Sequence, residues 1–238
     1  MIVFSHIPKT GGSSFREWFI KKLGREKIFW HREPGNLEGF GGIRRIPLDR
    51  VVDYLTQFEM IGGHFGFDEP VITELEAAGV PVLRTCMLRE PFERLISHFD
   101  FVAQRPNHGS HTSKSFDKAL ESNERVFRRN RSQQNRYLSG SPTFETTRQW
   151  LNDHPCLIGT LEKKEAFLRK LSGRCSALGD LEGFPNENRG RKRYRPNYEE
   201  FRSDPRVARV IEEDRKLYRW VEEEHAGLFV HRLDNKKS

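Results

Sequence analysis

The stretch whose reading decides the fold is Val3-Phe4-Ser5-His6-Ile7-Pro8-Lys9-Thr10-Gly11-Gly12-Ser13-Ser14-Phe15. It opens as a short apolar run, Val3 to His6, and breaks at Ile7-Pro8-Lys9-Thr10-Gly11-Gly12. Phe15, Trp18, Phe19 and Leu23 then recur at helical spacing, with Ser13 or Ser14 expected to cap that helix. The pattern is strand, glycine loop, helix. Two glycines let backbone N–H groups approach an oxyanion closely, and the helix N-terminus adds positive potential. Lys9 supplies a point charge, while Thr10, Ser13 and Ser14 supply hydroxyl donors. These are the needs of a phosphate cradle, although an ordinary tight turn with a surface lysine reads the same in isolation. A Walker A loop is excluded, because there the lysine follows the second glycine and precedes a magnesium-binding Ser/Thr.

Working outward, residues 48–58 carry Leu48, Val51, Val52, Leu55 and Phe58 at helical spacing. A short strand follows at Met60-Ile61-Gly62-Gly63-His64. Residues 71–78 read as helix and Val80 to Leu88 as a strong strand. Pro91 fits the first position of the next helix, whose stripe is Phe92, Leu95, Ile96, Phe99 and Val102. Beyond a polar loop at 105–114, Ser115 can cap a short helix, and residues 124–136 are arginine-rich. Helices are expected near 146–152, over 162–172 and from about Pro205 to His225, with a strand from Cys156 to Gly159. Alternating strands and helices predict an α/β fold, a P-loop-like and mostly parallel sheet flanked by helices. No repeat or boundary divides residues 1–238, so one domain is expected.

A second anion site is suggested where the strand ending at Leu88 meets Arg89-Glu90-Pro91-Phe92-Glu93-Arg94-Leu95-Ile96-Ser97. At 100° per residue, Ser97 points away from the Phe92/Ile96/Phe99 stripe, so Arg89 and Ser97 are expected to reach one external anion. The bland alternative is a helix-start arginine paired with Glu93 and an idle serine.

Taken together, Pro8-Lys9-Thr10-Gly11-Gly12-Ser13-Ser14 and Arg89…Ser97 resemble the two nucleotide-binding segments of the sulfotransferases. The likeness is to the branch that contains the heparan sulfate 2-O- and 6-O-sulfotransferases. It implies a fold of the sulfotransferase type, 3′-phosphoadenosine 5′-phosphosulfate (PAPS) as sulfuryl donor, adenosine 3′,5′-bisphosphate (PAP) as product, and no metal. It further implies Lys9 at the bridging oxygen, Thr10 to Ser14 on the 5′-phosphate, and Arg89 with Ser97 on the 3′-phosphate. Glu90 stands where that family more often has Asp. Leu157-Ile158-Gly159-Thr160-Leu161-Glu162 is similar to its later strand. Arg189-Gly190-Arg191-Lys192-Arg193-Tyr194-Arg195 occupies the position of its basic cofactor loop. There Arg191, Lys192 or Arg193 is expected on phosphate and Tyr194 near the base, without a single assignment; a solvated loop is the plain reading.

Sulfuryl transfer needs a base for the acceptor hydroxyl, and a neutral imidazole suits this near pH 7. His64 ends a strand among small neighbours, Gly62-Gly63 and Gly66. Gly63-His64-Phe65-Gly66-Phe67 resembles the catalytic segment of the 2-O-sulfotransferases, so His64 is the expected base. That family carries another histidine two residues earlier, where this chain has Gly62, so no helper imidazole is expected. His6 is read as shaping the loop, His98 as packing or edge-of-site. His31, His108, His111, His154, His225 and His231 are read as surface or loop positions.

Net charge is +7 and mean hydropathy is −0.75, which suits a phosphate-rich ligand, an anionic polysaccharide or nucleic acid alike. Arg125, Arg128, Arg129, Arg131 and Arg136 suit an acidic acceptor such as a uronate-containing glycan, or equally a charged helix face. A nucleic-acid binder would want aromatics interleaved with the basic residues, and none are evident, so no nucleic acid is expected. A nucleotide kinase or NTPase would want the magnesium ligands that this loop lacks. Family likeness favours a carbohydrate hydroxyl as acceptor. No run reaches the ~18 apolar residues of a membrane span, no signal peptide is visible, and Cys86, Cys156 and Cys175 are odd in number. A soluble, cytoplasmic protein with buried free thiols is expected.

Overall fold

The computed structural model describes residues 1–31, 42–104, 115–179, 184 and 198–231. Its centre is a six-stranded sheet in the order β2-β3-β1-β4-β5-β6. The strands are β1 (Ile2–Ser5), β2 (Ile28–Trp30), β3 (Met60–Gly63), β4 (Leu83–Leu88), β5 (Cys156–Thr160) and β6 (Leu228–His231). The first five are mutually parallel, and β6 pairs antiparallel with β5. The helices are α1 (Gly12–Leu23), α2 (Val51–Leu55), α3 (Pro70–Ala77), α4 (Pro91–Ala103), α5 (Phe116–Glu121), α6 (Arg125–Asn130), α7 (Gln133–Ser139), α8 (Phe144–Asp153), α9 (Lys164–Ser172) and α10 (Pro205–Arg219). This is the expected α/β architecture of a mostly parallel sheet with helices on both faces.

Strand alternation sorts the core. Ile2 and Phe4 of β1 face α1 and α9, meeting Phe15, Trp18, Phe19, Phe167 and Leu171. Val3, on the opposite face, meets Val51, Leu55, Val71, Ile72 and Leu75 of α2 and α3. Phe15 and Phe19 are fully buried, and each such ring contributes roughly 1.5–3 kcal/mol. A further cluster joins α4, α5, α6 and α10 through Phe99, Phe116, Phe127 and Ile211.

Several boundaries differ from expectation. The first strand stops at Ser5, so His6 lies beyond it. The fourth begins at Leu83, because the Val80 N–H instead donates to the Leu75 carbonyl and finishes α3. Helix α1 starts at Gly12 behind Gly11, which sits at φ 86° and provides no side-chain cap, so neither Ser13 nor Ser14 caps it. Residues 48–58 hold only a five-residue helix preceded by a 3-10 turn. The arginine-rich segment becomes two helices divided at Arg131–Ser132, with Ser132 at φ 49°. The last long helix passes into one π-turn, Trp220–Glu224, before Gly227 leads into β6. Strands β2 and β6 were not expected at all.

What positions the site is register. Ser5 pairs with Gly63 on one side and Cys86 on the other. The C-terminal ends of β1, β3 and β4 therefore lie side by side, and His6, His64 and Arg89 all leave from that edge. The chain moves outward from β1 to either side here, the kind of switch point where open α/β sheets bind ligands. Cys86 and Cys156 are buried free thiols, as expected, and burial pushes Cys156 up to about 12. Among the described residues no helix is long and apolar enough to cross a membrane.

Candidate functional site

The glycine loop leaves β1 and enters α1 within six residues. Lys9 adopts φ 73°, a left-handed conformation uncommon for a residue with a side chain. Its ammonium lies 4.4 Å from the centroid of the Phe101 ring on α4. The buried Thr10 hydroxyl donates to the Ile7 carbonyl at 2.9 Å, so its proton braces the loop and does not face outward. Ser13 is exposed and Ser14 buried. Gly12 is required by close approach: a Cβ there would stand 1.9 Å from Cδ2 of the His6 ring.

Arg89 is bound to this loop directly. Its Nη1 donates to the Lys9 carbonyl at 3.2 Å, and its Nη2 lies 3.8 Å from the Glu93 carboxylate. The pairing with Glu93 is thus present, but it does not hold the arginine away from the loop. The Arg89 main chain is clasped by Gln134 of α7, whose amide oxygen accepts the Arg89 N–H at 3.0 Å and whose amide nitrogen donates to the Arg89 carbonyl at 3.1 Å. Gln134 is in turn held by Asp214 of α10, which accepts its backbone N–H at 3.1 Å. Asp214 also faces the fully buried Arg94 at 3.5 Å. Helix α4 starts with Pro91 in its first turn and the Glu90 carboxylate accepting the Glu93 N–H at 2.8 Å. Ser97 sits two turns along α4 and is buried, 9 % exposed, so it does not stand out from the helix as a free hydroxyl.

His64 is exposed where β3 ends. The turn that presents it needs Gly63, at φ 138°, where a Cβ would meet that of His31 at 2.5 Å. The Gly63 carbonyl accepts the N–H groups of both His6 and Phe65, at 2.7 and 3.0 Å. Nδ1 of His64 lies 2.7 Å from the His6 main-chain oxygen. A carbonyl oxygen only accepts, so Nδ1 carries the proton and Nε2 of the neutral ring is the basic nitrogen. Position 62 carries no imidazole, but His6, the residue after β1, stacks on His64 with ring centroids 4.2 Å apart. Burial, with the positive charges of His64 and Lys9, holds His6 well below the usual imidazole range.

His98 packs against Asn130, with Nδ1 2.8 Å from the amide nitrogen. Burial, and the charges of Arg94, Lys9 and Arg129, lower it to about 4. It is therefore neutral at physiological pH. His31, expected at the surface, is buried and accepts the Ile43 N–H at 2.9 Å. Arg125, Arg128, Arg129, Arg131 and Arg136 are exposed on and between α6 and α7. Arg191, Lys192 and Arg193 lie outside the described residues, as do Tyr194, His108 and His111.

The structure thus brings Lys9, Gly12, His64 and Arg89 together through shared contacts. Sequence reading missed Gln134 and Phe101, because their partners Arg89 and Lys9 lie far from them in the chain. It underweighted His6, whose position directly before the loop was the available signal. The chain matches no protein-family model and no curated protein. Among solved structures it is similar to the crystal structure of mouse sulfotransferase SULT7A1 complexed with PAP, at 18% identity and a TM-score of 0.44. The overlap covers 75% of this chain and 58% of that one, so the chain spans less than two-thirds of that protein's length.

Proposed function

We propose that the chain is a single-domain sulfotransferase that moves a sulfuryl group from PAPS to a hydroxyl, with His64 as base. The observation that carries this is the three adjacent strand ends: a cationic glycine loop, an arginine hydrogen-bonded to that loop, and a histidine whose tautomer leaves Nε2 basic. In this reading Lys9 neutralises the bridging oxygen, and Gly11, Gly12, Ser13 and Ser14 line the 5′-phosphate, with Thr10 holding the loop in shape. Arg89 takes the 3′-phosphate, with Ser97 behind it, and Arg191, Lys192 or Arg193 close over the nucleotide. The acceptor oxygen attacks sulfur while Nε2 of His64 takes its proton. The sulfur–oxygen bond to the phosphate breaks, and PAP departs with the electron pair. A transferring sulfuryl group carries less charge than a phosphoryl group, so two fixed cations suffice where a kinase needs magnesium. The acceptor class is a carbohydrate hydroxyl, on family likeness, and the setting is the cytoplasm.

Calorimetry with PAP, AMP and Mg-ATP tests the donor. PAP should bind at least tenfold tighter than AMP, because only PAP reaches Arg89, and labelled-sulfate transfer should survive EDTA. Equal affinity for PAP and AMP, or tighter binding of Mg-ATP, overturns the reading in favour of a phosphoryl-transfer or general nucleotide site.

A further inference from the structure

We infer that His6 is a positioning residue: a flat spacer that fixes the ring of His64 and links it mechanically to the glycine loop. The second half of this rests on the sulfotransferase reading, in which the loop holds the nucleotide; the first half does not.

Four contacts define the spacer. The His6 carbonyl takes the Nδ1 proton of His64 at 2.7 Å. The two rings stack at 4.2 Å with planes 27° apart. The Cδ2–Nε2 edge of His6 fills the space over Gly12 so closely that a Cβ there would come within 1.9–2.0 Å of it. Behind it stands Trp30, ring centroids 6.1 Å apart, itself seated over Gly62, where a Cβ would come within 2.3 Å of its ring. One residue is thus held by β1, by the aromatic side chain of β2, by the first turn of α1 and by the base.

The chemistry follows from those contacts. An imidazole on a strand end has two free torsions and several rotamers. Here one hydrogen bond sets which nitrogen is protonated, and one stacked face sets the plane, so Nε2 has a single direction. A charged ring at His6 would repel the imidazolium that His64 becomes during transfer, and a neutral ring does not. Close-packed contacts have little slack. When an anion draws in the N–H groups around Gly12, the edge of His6 moves with them and carries His64 along. The nucleotide and the base are then set by the same element.

The test uses full-length protein labelled with ¹⁵N in its histidine rings, observed by long-range ¹H–¹⁵N spectra at pH 8, with PAP binding measured by calorimetry in parallel. In the unmodified protein His64 should show the Nδ1–H tautomer, and its ring nitrogens should shift on adding PAP. His6→Ala keeps the main-chain carbonyl but removes the stacked face, so the His64 ring can swing off that carbonyl: PAP affinity should stay within about threefold, yet the tautomers of His64 should mix and its PAP-induced shift fall at least by half. His6→Phe, which restores a flat ring without nitrogens, should recover both. If His6→Ala retains the single tautomer and the full PAP response, or His6→Phe is as impaired as Ala, the positioning role is overturned. Should His6→Ala fail to fold, the His6→Phe spectrum decides alone. Absence of PAP binding to the unmodified protein would instead sink the sulfotransferase reading, and the tautomer comparison would still judge the first half of the inference.

Discussion

The guanidinium of Arg89 donates to the main-chain oxygen of Lys9 at 3.2 Å, joining two strand ends that the chain separates by 80 residues. Lys9 needs that support: its φ of 73° costs on the order of 1–2 kcal/mol for a residue bearing Cβ. The two proposed anion sites are consequently one unit, and on that proposal a ligand at one would steady the other.

Arg89→Ala should weaken PAP by roughly 10- to 100-fold, since a charge-assisted hydrogen bond is worth about 1.5–3 kcal/mol. AMP should also lose a few-fold, because the Lys9 carbonyl is released. Arg89→Lys should recover less than half of the lost free energy, as an ammonium cannot serve the phosphate and the carbonyl with a planar fork. Calorimetry on the three proteins checks this, and an unchanged PAP-to-AMP ratio in Arg89→Ala would contradict it.

Gly12→Ala drives a methyl group into the His6 ring, 1.9 Å from Cδ2. The expected loss is about 1–3 kcal/mol of stability, as for other overpacked sites, together with PAP affinity. Combining it with His6→Ala should be strongly non-additive, the double variant regaining stability over Gly12→Ala alone. Urea denaturation of the four proteins measures that coupling; simple additivity would mean the clash is relieved elsewhere.

His64→Asn can still donate to the His6 carbonyl but cannot take a proton. Transfer should fall by ~10²-fold or more while PAP binding stays within a few-fold, because Lys9 and Arg89 are untouched. His64→Ala should match it. Labelled-sulfate transfer, with nucleotide binding alongside, is the measurement. Near-normal turnover in either variant would remove His64 from the chemistry.

His98 is lowered to about 4 by burial and its cationic neighbours, against ~6.5 in an unfolded chain. Its contribution to stability is complete above pH ~6.5 and is lost as pH falls towards 4, where the unfolded chain binds the proton first. The loss amounts to about 3 kcal/mol, at 1.36 kcal/mol for each pH unit. Urea midpoints followed from pH 7 to pH 4.5 should drop steeply, and His98→Gln should flatten that slope. Equal slopes in both proteins would assign the acid sensitivity to other groups, His6 among them.

The sheet was legible because four strands or their helices carry uninterrupted periodicity: Phe15, Trp18, Phe19 and Leu23 announce α1 as plainly as Phe92, Leu95, Ile96 and Phe99 announce α4. Strands β2 and β6 were not, since they are as short as β1 and β3 but lead into no motif that marks their ends. The motif residues Lys9, Arg89 and His64 were singled out through local chemistry together with the family resemblance. Gln134, Asp214 and Phe101 escaped because their roles are long-range, Gln134 meeting Arg89 across 45 residues and Asp214 meeting Gln134 across 80. The Thr10 hydroxyl was read as outward-facing because sequence spacing does not reveal which hydroxyls the fold itself absorbs.

The parallel register that sets Ser5 between Gly63 and Cys86 also governs when this site can exist. No two of its three strand ends are joined by a hairpin, and the hydrogen bonds that unite them close loops of 58 and 80 residues. Such non-local pairings carry their loop-closure entropy before any contact repays it, and they slow folding accordingly. During synthesis the Ser5 strand end can pair with Gly63 as soon as β3 is made, but its other neighbour is absent until residue 89 has left the ribosome. The nascent chain therefore passes through an interval in which one edge of β1 is unpaired. On the proposed function, affinity for nucleotide would arise only when the third strand end is in place, so the nucleotide would stabilise the finished sheet and not template its assembly.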